Sequence, residues 1–550
     1  MILQILLFKG YFPSELPSTF TTKGFGEQSE DILNAWGSAG IFKIRRNKKR
    51  RGSYVYEGPA SDPEIISKPK RGYERRNLSI VHPVAQALLC RELSDNWREI
   101  LKWTSRQIFS IDRIQSEKRS ARGIKDIRYD LHRVKKDYIE ALSDWLVLTD
   151  ITRFYPSIYT HSIAWAAYGK DRVKVNIPQY FGSLADGIDT LIRLGNRNQT
   201  VGIPIGPESS RIVAEILSAR IDRDFHGKGV RLDHGRVDRI QDDWFVGVDS
   251  LEQAENVLSI ISSIYREYGL EINGSKTTVE RVIEVSDDRW VSELGSFLSH
   301  RNGRLAGARL REFLSLCLRL QKEHIREPVT NYALTVLEAQ PARDEDVESL
   351  ESFLLKASII SPISMNRICR MILDLQFTTK RIARSRVRDR FCLLAERHIT
   401  NGHYYEVIWL LHTIRGLRMP IRSKVISEHV EAIKSSALGL LLLDLRQSGI
   451  FVNKLPTAQW EAQINEENVA STWLWLLGYE GIRLGWLADK NNIMRQPLFH
   501  EMNTRNVVFY DERRNVPKLV NVVRRRSAAI KVRKSDLIHF LRKMRGLDFY

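Results

Sequence analysis

Three aspartates in apolar surroundings are the residues of this sequence best suited to chemistry. Asp150 ends the apolar run 146–149, whose alternation and β-rich composition predict a buried strand. Asp242 and Asp243 occupy a tight polar turn between two short apolar segments, which predict a strand-turn-strand unit. A buried carboxylate is costly unless a cation meets it, and that cation is either an arginine or a metal ion. Acidic oxygens that converge on two ions about 3.5–4 Å apart are what two-metal phosphoryl transfer requires.

The segments around the aspartates predict the elements that would position them. Pro156 cannot donate to a sheet, so the strand has ended by that residue and a helix is expected to follow. Residues 201–207 are rich in glycine and proline and predict an irregular loop where the backbone can approach a ligand. Ser209 or Ser210 is predicted to cap the next helix, and residues 252–268 predict an amphipathic helix. Taken alone, residues 201–207 fit an ordinary loop before a core helix equally well.

Four short motifs follow one another along the first half of the chain. They read Asp150-Ile-x-x-Phe-Tyr-x-Ser-Ile158, Gly202-x-Pro-x-Gly-Pro-x-x-Ser210, Gln241-Asp-Asp-Trp244 and Gly269-Leu-Glu-Ile-Asn-x-x-Lys-Thr277. This ordered set resembles palm motifs A to D of reverse transcriptases. The form of the second motif, together with Lys9-Gly-Tyr-Phe-Pro-x-Glu-Leu-Pro-x-x-Phe20, is most similar to the abortive-infection and related defence-associated bacterial group. The resemblance is specific over residues 1–300 and general beyond them.

The resemblance implies an α+β fold in two parts. Residues 1–304 would form the fingers and palm of a right-hand polymerase, with residues 293–299 as the last palm hairpin. Residues 305–550 would form an all-α, helical-repeat-like domain, as in defence-associated members. The sequence itself shows helical periodicity in short segments there, without a strict repeat, which fits an irregular solenoid. The predicted helices are 310–320, 347–360, 365–375, 387–399, 404–414, 425–445 and 470–487.

The resemblance also assigns a catalytic metal site. Asp150, Asp242 and Asp243 would be the catalytic residues, with Asp243 as the acidic neighbour of the other two. Together with the carbonyl of Ile151 they would hold two Mg²⁺ ions, with Mn²⁺ as the alternative ion. The unrelated pair Asp287-Asp288 has no strand-turn-strand frame, so two adjacent aspartates alone are a weak signal.

Nucleotide-binding roles follow by position from the same motifs. Tyr155 would be the steric gate, with its ring where a ribose 2′-hydroxyl must go, and Lys276 would approach the triphosphate. The nucleotide-binding set implied by the resemblance is Arg153, Phe154, Tyr155, Gly206 and Lys276. Two positions depart from the family pattern: Ile240 stands where an aromatic is usual, and Ile205 stands where glutamine is frequent. The second departure weakens any expectation of ordinary template-directed nucleotide positioning.

Composition and charge limit the classes of protein to which this chain can belong. The 550 residues suggest about two to four domains, and 43% hydrophobic residues are enough to bury real cores. The net charge of +19 favours an anionic partner, although basic proteins often bind nucleic acid opportunistically. Four cysteines without close spacing argue against a zinc site or a disulfide framework and fit a reducing cytosol. Residues 1–8 are no convincing signal peptide, and the longest apolar run, 437–443, is too short to span a bilayer. These features predict a cytoplasmic protein without a membrane partner.

Basic residues cluster in three regions of the sequence. Arg524, Arg525 and Arg526 make the tail a candidate nucleic-acid-binding patch, and residues 45–51 are as readily a solvated face as a contact. Candidate triphosphate contacts in the fingers are Arg75, Arg76, Lys118, Arg119, Arg122 and Arg128.

Aromatic residues that could stack bases, but whose helical spacing is more typical of core, are Trp473, Trp475, Tyr479 and Trp486.

Taken together, these features predict a bacterial antiviral-defence reverse transcriptase or DNA polymerase. Its substrates would be dNTPs, and its polymer partners RNA or single-stranded DNA. The resemblance leaves several modes open: copying a companion non-coding RNA, extending DNA without a template as a terminal transferase does, or priming from a tyrosine hydroxyl. A homo-oligomer also fits. The alternative function is a catalytically silent nucleic-acid scaffold that kept the fold and the basic surface.

Overall fold

A computed structural model gives the fold of this chain. It describes residues 1–46, 54–70, 72, 74–118, 120, 122–228, 234–284, 289–299, 305–325, 327–340 and 342–514. Several sequence-based predictions fall outside the described residues: the tail arginines 524–526, Arg119, most of the basic run 45–51, and the domain boundary at 304/305.

The chain before Asp150 forms six helices and two antiparallel hairpins within the described ranges. The helices are α1 (Ile2–Lys9), α2 (Lys23–Glu27), α3 (Ser29–Ser38), α4 (Pro83–Asp95), α5 (Trp97–Thr104) and α6 (Tyr129–Ala141). One hairpin pairs β1 (Lys43–Arg46) with β2 (Tyr54–Glu57), and the other pairs β3 (Glu64–Pro69) with β4 (Arg75–Ile80). His82 caps α4, since its ring accepts a hydrogen bond from the Val84 amide, and proline at the first helical position fits the fixed φ of a helix start.

A four-stranded antiparallel sheet follows. Its strands are β5 (Trp145–Thr149), β6 (Val237–Ile240), β7 (Asp243–Val248) and β8 (Thr278–Arg281), in the order β6-β7-β5-β8. Alternation along β5 divides its side chains between two faces: Val147 joins the main core, while Leu146 packs with Phe245 and with Ile139 of α6. Both faces of β5 are therefore covered, which explains its apolar composition.

The described residues between 154 and 299 also form helices. They are α7 (Phe154–Ser157), α8 (Ser162–Tyr168), α9 (Lys170–Val175), α10 (Ile177–Tyr180), α11 (Leu184–Leu194), α12 (Glu208–Gly227), α13 (Leu251–Glu267) and α14 (Arg289–Ser299). Two predictions were wrong. Residues 293–299 belong to α14 and form no hairpin, and α12 begins at Glu208 after the N-cap residue Pro207, so neither Ser209 nor Ser210 caps it. Both serines lie inside the first turn and are buried.

The described residues from 305 onward form the helices α15 to α26. Their bounds are α15 (Gly307–Glu323), α16 (Val329–Glu338), α17 (Val347–Ile360), α18 (Met365–Thr379), α19 (Arg384–Ile399), α20 (Tyr404–Leu417), α21 (Lys424–His429), α22 (Ser436–Gln447), α23 (Ala458–Gln463), α24 (Glu466–Ser471), α25 (Leu474–Arg483) and α26 (Pro497–Thr504). The predicted helix 425–445 is interrupted, because the Ser435 hydroxyl accepts the Leu438 amide and starts a new helix there. The predicted helix 470–487 is likewise divided between α24 and α25.

The helical part packs directly on the N-terminal part. One apolar core cluster runs through both, and it includes Trp475 and Tyr479, which are fully buried core residues. The Trp36 indole donates to the Leu498 carbonyl at 3.1 Å, and the Glu64 carboxyl in β3 accepts the Ser435 hydroxyl at 2.6 Å. No helix within the described ranges is long and apolar enough to cross a membrane.

Glu64 generates a prediction about pH and stability. It is 1% exposed, and burial raises the pKa of its carboxyl from 4.5 to about 7. The folded chain therefore holds a proton that the unfolded chain releases between these two values. Its contribution to stability is full at acidic pH and is lost as pH rises through 7. We expect Glu64→Gln to match the wild type near pH 5 and to be about 1–3 kcal/mol more stable at pH 8.5.

Denaturant unfolding at both pH values measures this difference. Glu74→Gln is the matched control, because Glu74 is exposed at the turn of the same hairpin. A stability difference for Glu64→Gln that does not change with pH would contradict the protonated state of Glu64.

Candidate active site

The strand register brings the three aspartates to one edge of the sheet. β5 and β7 are antiparallel neighbours whose last pair is Thr149 with Trp244, so Asp150 and Asp243 leave adjacent strands side by side. Asp242 precedes Asp243 in the turn between β6 and β7. Asp150 and Asp242 interact directly through their carboxyl groups. Sequence elements far apart in the chain therefore converge on one acidic cluster.

Each carboxyl of the cluster has its own electrostatic environment. Burial alone would raise the pKa of Asp150, but its contact with the Lys276 ammonium and the 2.7 Å bond from the Ile151 amide hold that pKa below its ordinary value. Burial and the charges of its neighbours raise the pKa of Asp242 well above the ordinary range. The pKa of Asp243 is also raised, by burial and by Asp150. The neighbouring positive charge is therefore too small to stabilise all three carboxyl groups in their ionised form.

A turn over residues 271–277 fixes Asp150 from the other side. The Asn273 amide donates to the Asp150 carbonyl at 2.7 Å, and the Thr277 and Thr149 hydroxyls are 2.8 Å apart. Ile151 and Ile272 face each other in an isolated antiparallel bridge. They form a non-hydrogen-bonded pair, because the backbone hydrogen bonds are made by the residues on either side of them. The bridge therefore does not use the Ile151 carbonyl as an acceptor.

A buried arginine holds the turn that carries the other two aspartates. Arg239 in β6 is fully buried, and its guanidinium donates to Asp222 at 2.5 Å and to Glu215 at 2.8 Å, both on α12. The same group donates to the Gln241 carbonyl at 2.7 Å. Gln241 has a left-handed φ of +57°, which is unfavourable for a residue with a side chain. The hydrogen bond from Arg239 stabilises this conformation of Gln241 and thereby fixes the position of the next residue, Asp242.

A second buried network joins β6 to α6. Both ring nitrogens of His132 contact carboxylates: Nδ1 lies 2.7 Å from Asp238 and Nε2 lies 3.0 Å from Asp112. The Lys135 ammonium lies 3.4 Å from Asp238. Burial alone would lower the pKa of His132, but the two carboxylates raise it. The network fixes the strand that leads into the aspartate turn.

The glycine- and proline-rich loop 201–207 packs against the segment after Asp150. The Ile203 amide donates to the Tyr155 carbonyl at 2.9 Å. Gly206 has a φ of +133°, and a Cβ placed there would lie 2.8 Å from a ring carbon of Pro13, so both the backbone conformation and the close approach require glycine. Tyr155 is half-buried, and burial together with the Asp242 charge raises the pKa of its hydroxyl. Its ring thus lies near the aspartate cluster.

The remaining predicted nucleotide-binding residues occupy different positions. Arg153 is exposed with a left-handed φ of +47°, while Phe154 is buried with its ring edge-on to Tyr155, 5.7 Å between centroids. Lys276 is 42% exposed at its side chain and contacts Asp150. The structure therefore brings Tyr155 and Lys276 to the aspartates and places Phe154 in the core.

Three of the six candidate triphosphate contacts are engaged in ion pairs. Arg75 pairs with Glu406, Arg128 with Asp112, and Arg122 at 2.5 Å with Glu208. Arg119 lies outside the described residues. Sequence reasoning missed Arg211, which pairs with Glu208 and acts electrostatically on Tyr155. Its place on the helix after the loop 201–207 is the only sequence signal that could have indicated it.

The residues of the cluster fit a divalent cation. Carboxylate oxygens and a backbone carbonyl are hard donors, which suit Mg²⁺ or Mn²⁺. The raised pKa values of Asp242 and Asp243 show an excess of acidic groups, and the lysine against Asp150 shows that a cation is accepted there. The residues that would hold the ions are Asp150, Ile151 through its carbonyl, Asp242 and Asp243.

Comparisons with known proteins add little to this geometry. No protein-family model matches the chain, and no curated protein sequence matches it. Telomerase from Candida albicans, in complex with the TWJ fragment of telomeric RNA, aligns with 74% of this chain and 66% of its own, at 12% identity and a TM-score of 0.28. Apo telomerase from Candida tropicalis aligns with 80% of this chain and 76% of its own, at 12% identity and a TM-score of 0.29. The chain spans just under two thirds of the first telomerase, and similarity at this level establishes neither a shared fold nor a shared activity.

The Arg239 network generates a prediction about stability. Arg239→Met would leave Asp222 and Glu215 buried without their cation, so we expect the free energy of unfolding to fall by about 3–5 kcal/mol. Arg236→Ala is the control, because Arg236 pairs with the exposed Asp249 and such pairs contribute about 0–1 kcal/mol. Urea unfolding of both variants measures the difference. Equal effects of the two substitutions would contradict the role of Arg239.

Proposed function

We propose that this chain is a nucleotidyltransferase of the reverse-transcriptase kind, which adds deoxynucleotides from dNTPs to a 3′ or protein hydroxyl. The observation that carries the proposal is the convergence of Asp150, Asp242 and Asp243 at one edge of an antiparallel sheet. The four ordered motifs of residues 1–300 agree with it. Held by these aspartates and the Ile151 carbonyl, Mg²⁺ or Mn²⁺ supplies the charge stabilisation that phosphoryl transfer requires.

The chain's own residues supply positioning and charge. The Ile151 amide and the turn 271–277 fix Asp150, while Arg239 fixes the turn that carries Asp242. The Lys276 ammonium is half-exposed beside Asp150 and would bind triphosphate oxygens by charge-assisted hydrogen bonds. Such preorganisation accounts for most of the catalysis expected in phosphoryl transfer.

The polymer partners and the biological role belong to the same proposal. The net charge of +19 supports RNA or single-stranded DNA as the bound polymer, and Arg524, Arg525 and Arg526 stay predicted contacts. Antiviral defence in the bacterial cytoplasm rests on the motif resemblance. Sequencing the products made with and without added RNA separates the modes: copies of a companion RNA indicate templated synthesis, and biased or homopolymeric DNA indicates template-independent extension.

Loss of a metal ligand is the primary test of the enzyme assignment. We expect Asp150→Ala and Asp242→Asn to reduce incorporation of labelled dNTP to background, because each removes an anionic oxygen from the cluster. We expect Asp242→Asn to be at least as stable as the wild type, since it relieves repulsion among buried carboxylates. Incorporation assays and thermal unfolding measure both effects.

Asp249→Asn is the matched control for these variants. Asp249 follows the opposite end of β7, is exposed, and pairs with Arg236, so its substitution should leave incorporation unchanged. Normal incorporation by Asp242→Asn would contradict the enzyme assignment and favour the nucleic-acid scaffold.

Sugar selection tests the position of Tyr155. If its ring excludes a ribose 2′-hydroxyl, Tyr155→Val should raise the ratio of rNTP to dNTP incorporation by at least about tenfold, because a clash of this size is worth ~1–3 kcal/mol. Tyr159→Val is the control, since Tyr159 packs against His161 and Trp165 instead. An unchanged ratio in Tyr155→Val would remove Tyr155 from the nucleotide site.

A further inference from the structure

A cluster of metal-ligating side chains lies at the turn between α19 and α20. α19 ends at Ile399 and α20 begins at Tyr404, and Gly402 with a φ of +67° allows the chain to reverse between them. The His403 amide donates to the His398 carbonyl at 3.0 Å, which brings the two imidazoles together. Glu406 lies in the first turn of α20. The ligand atoms of His398, His403 and Glu406 all lie within 4.8 Å of one another.

The spacing of the two imidazoles matches a shared metal ion. Their Nδ1 atoms are 3.4 Å apart. Two nitrogens bound to one tetrahedral Zn²⁺ at ~2.0–2.1 Å are separated by roughly 3.3–3.4 Å. The neutral imidazole ring is the form that binds metals.

The third side chain is a buried carboxylate held by an arginine of β4. The Glu406 side chain is 1% exposed, and both of its oxygens accept hydrogen bonds from Arg75 of β4 at 2.8 Å. Each carboxylate oxygen has two lone pairs, so Glu406 can accept these bonds and still offer a ligand oxygen. Metal-binding carboxylates are commonly hydrogen-bonded in this way, since the outer partner fixes the orientation of the ligand. Ser67 in turn holds Arg75, because its hydroxyl oxygen accepts a 2.7 Å hydrogen bond from the Arg75 Nε–H.

We propose that His398, His403 and Glu406 form a Zn²⁺ site with three protein ligands and a fourth position open to water or an incoming ligand. Imidazole nitrogen favours Zn²⁺ over Mg²⁺, so this site differs in chemistry from the aspartate cluster. Through Arg75 the bound ion would fix the α19–α20 hairpin against β4. The site does not depend on the proposed polymerase activity.

Metal titration of the full-length chain tests the proposal. After removal of metal by a chelator, we expect the wild type to bind one high-affinity Zn²⁺ that excess Mg²⁺ does not displace, and to bind Co²⁺ with the absorption spectrum of a tetrahedral site. His403→Gln should lower Zn²⁺ affinity by more than about 100-fold, because loss of an outer partner alone costs about 10–100-fold. Arg75→Gln removes only such an outer partner, so its loss of Zn²⁺ affinity should be about 10–100-fold. Zn²⁺ should also raise the thermal unfolding temperature of the wild type and leave that of His403→Gln unchanged.

Two controls make the result decisive. His500→Gln removes an exposed histidine of the same helical part and should bind Zn²⁺ as the wild type does. Asp242→Asn should also retain the site, so that a failed polymerase assignment and a failed zinc assignment can be distinguished. If His403→Gln misfolds, His398→Gln replaces it as the ligand variant. Equal Zn²⁺ affinity in the wild type and the ligand variant, or no high-affinity Zn²⁺ in the wild type, would overturn the proposal and leave a hydrogen-bonded junction between the hairpin and β4.

Discussion

The position of the aspartate turn depends on one buried cation. Arg239 joins the turn to α12, because its planar guanidinium donates at once to Asp222, to Glu215 and to the Gln241 carbonyl. Asp222 extends this network to the segment after α5, since its carboxylate also accepts hydrogen bonds from the backbone amides of residues 108 and 109. A lysine offers no fork of fixed donors and could not make these contacts together. The hairpin that presents Asp242 is therefore held from within the core and not by its own short turn.

The acidic cluster is held together against its own repulsion. Asp150 raises the cost of ionising both Asp242 and Asp243, while Lys276 stabilises the charge of Asp150 itself. A chain selected for stability alone would have neutral residues at two of these positions. The surrounding structure tolerates the cluster because β5, β7 and the turn 271–277 are each fixed by backbone hydrogen bonds. This unfavourable charge arrangement is the physical ground for the cation site that we propose at the sheet edge.

Sequence patterns predicted the elements that depend on local periodicity and missed the contacts between residues far apart in the chain. Apolar alternation located the strands beside Asp150 and Asp242, and helical periodicity predicted 347–360, the bounds of α17. The prediction of a hairpin at 293–299 rested on the resemblance and was wrong: the segment is itself amphipathic enough to be helical and forms part of α14. The partners of Arg239 lie on another element and leave no mark in the spacing of the sequence. Only cysteine spacing was weighed as a sequence signal for zinc, and the convergence of His398, His403 and Glu406 where α19 meets α20 depends on the chain reversal between the two helices.

The helical part and the loop beside the aspartates share one connecting segment, residues 10–20. The Gly10 carbonyl accepts the Glu208 amide at 2.7 Å, and Pro13 packs against Gly206. Further along the segment, the Glu15 carbonyl accepts the Trp409 indole of α20 at 2.9 Å. Because such packed contacts are stiff, α20 cannot shift without breaking the Trp409 bond or moving the segment that supports Gly206. A cation bound at the first turn of α20 would therefore stabilise the same helix on which the segment supporting the loop 201–207 depends.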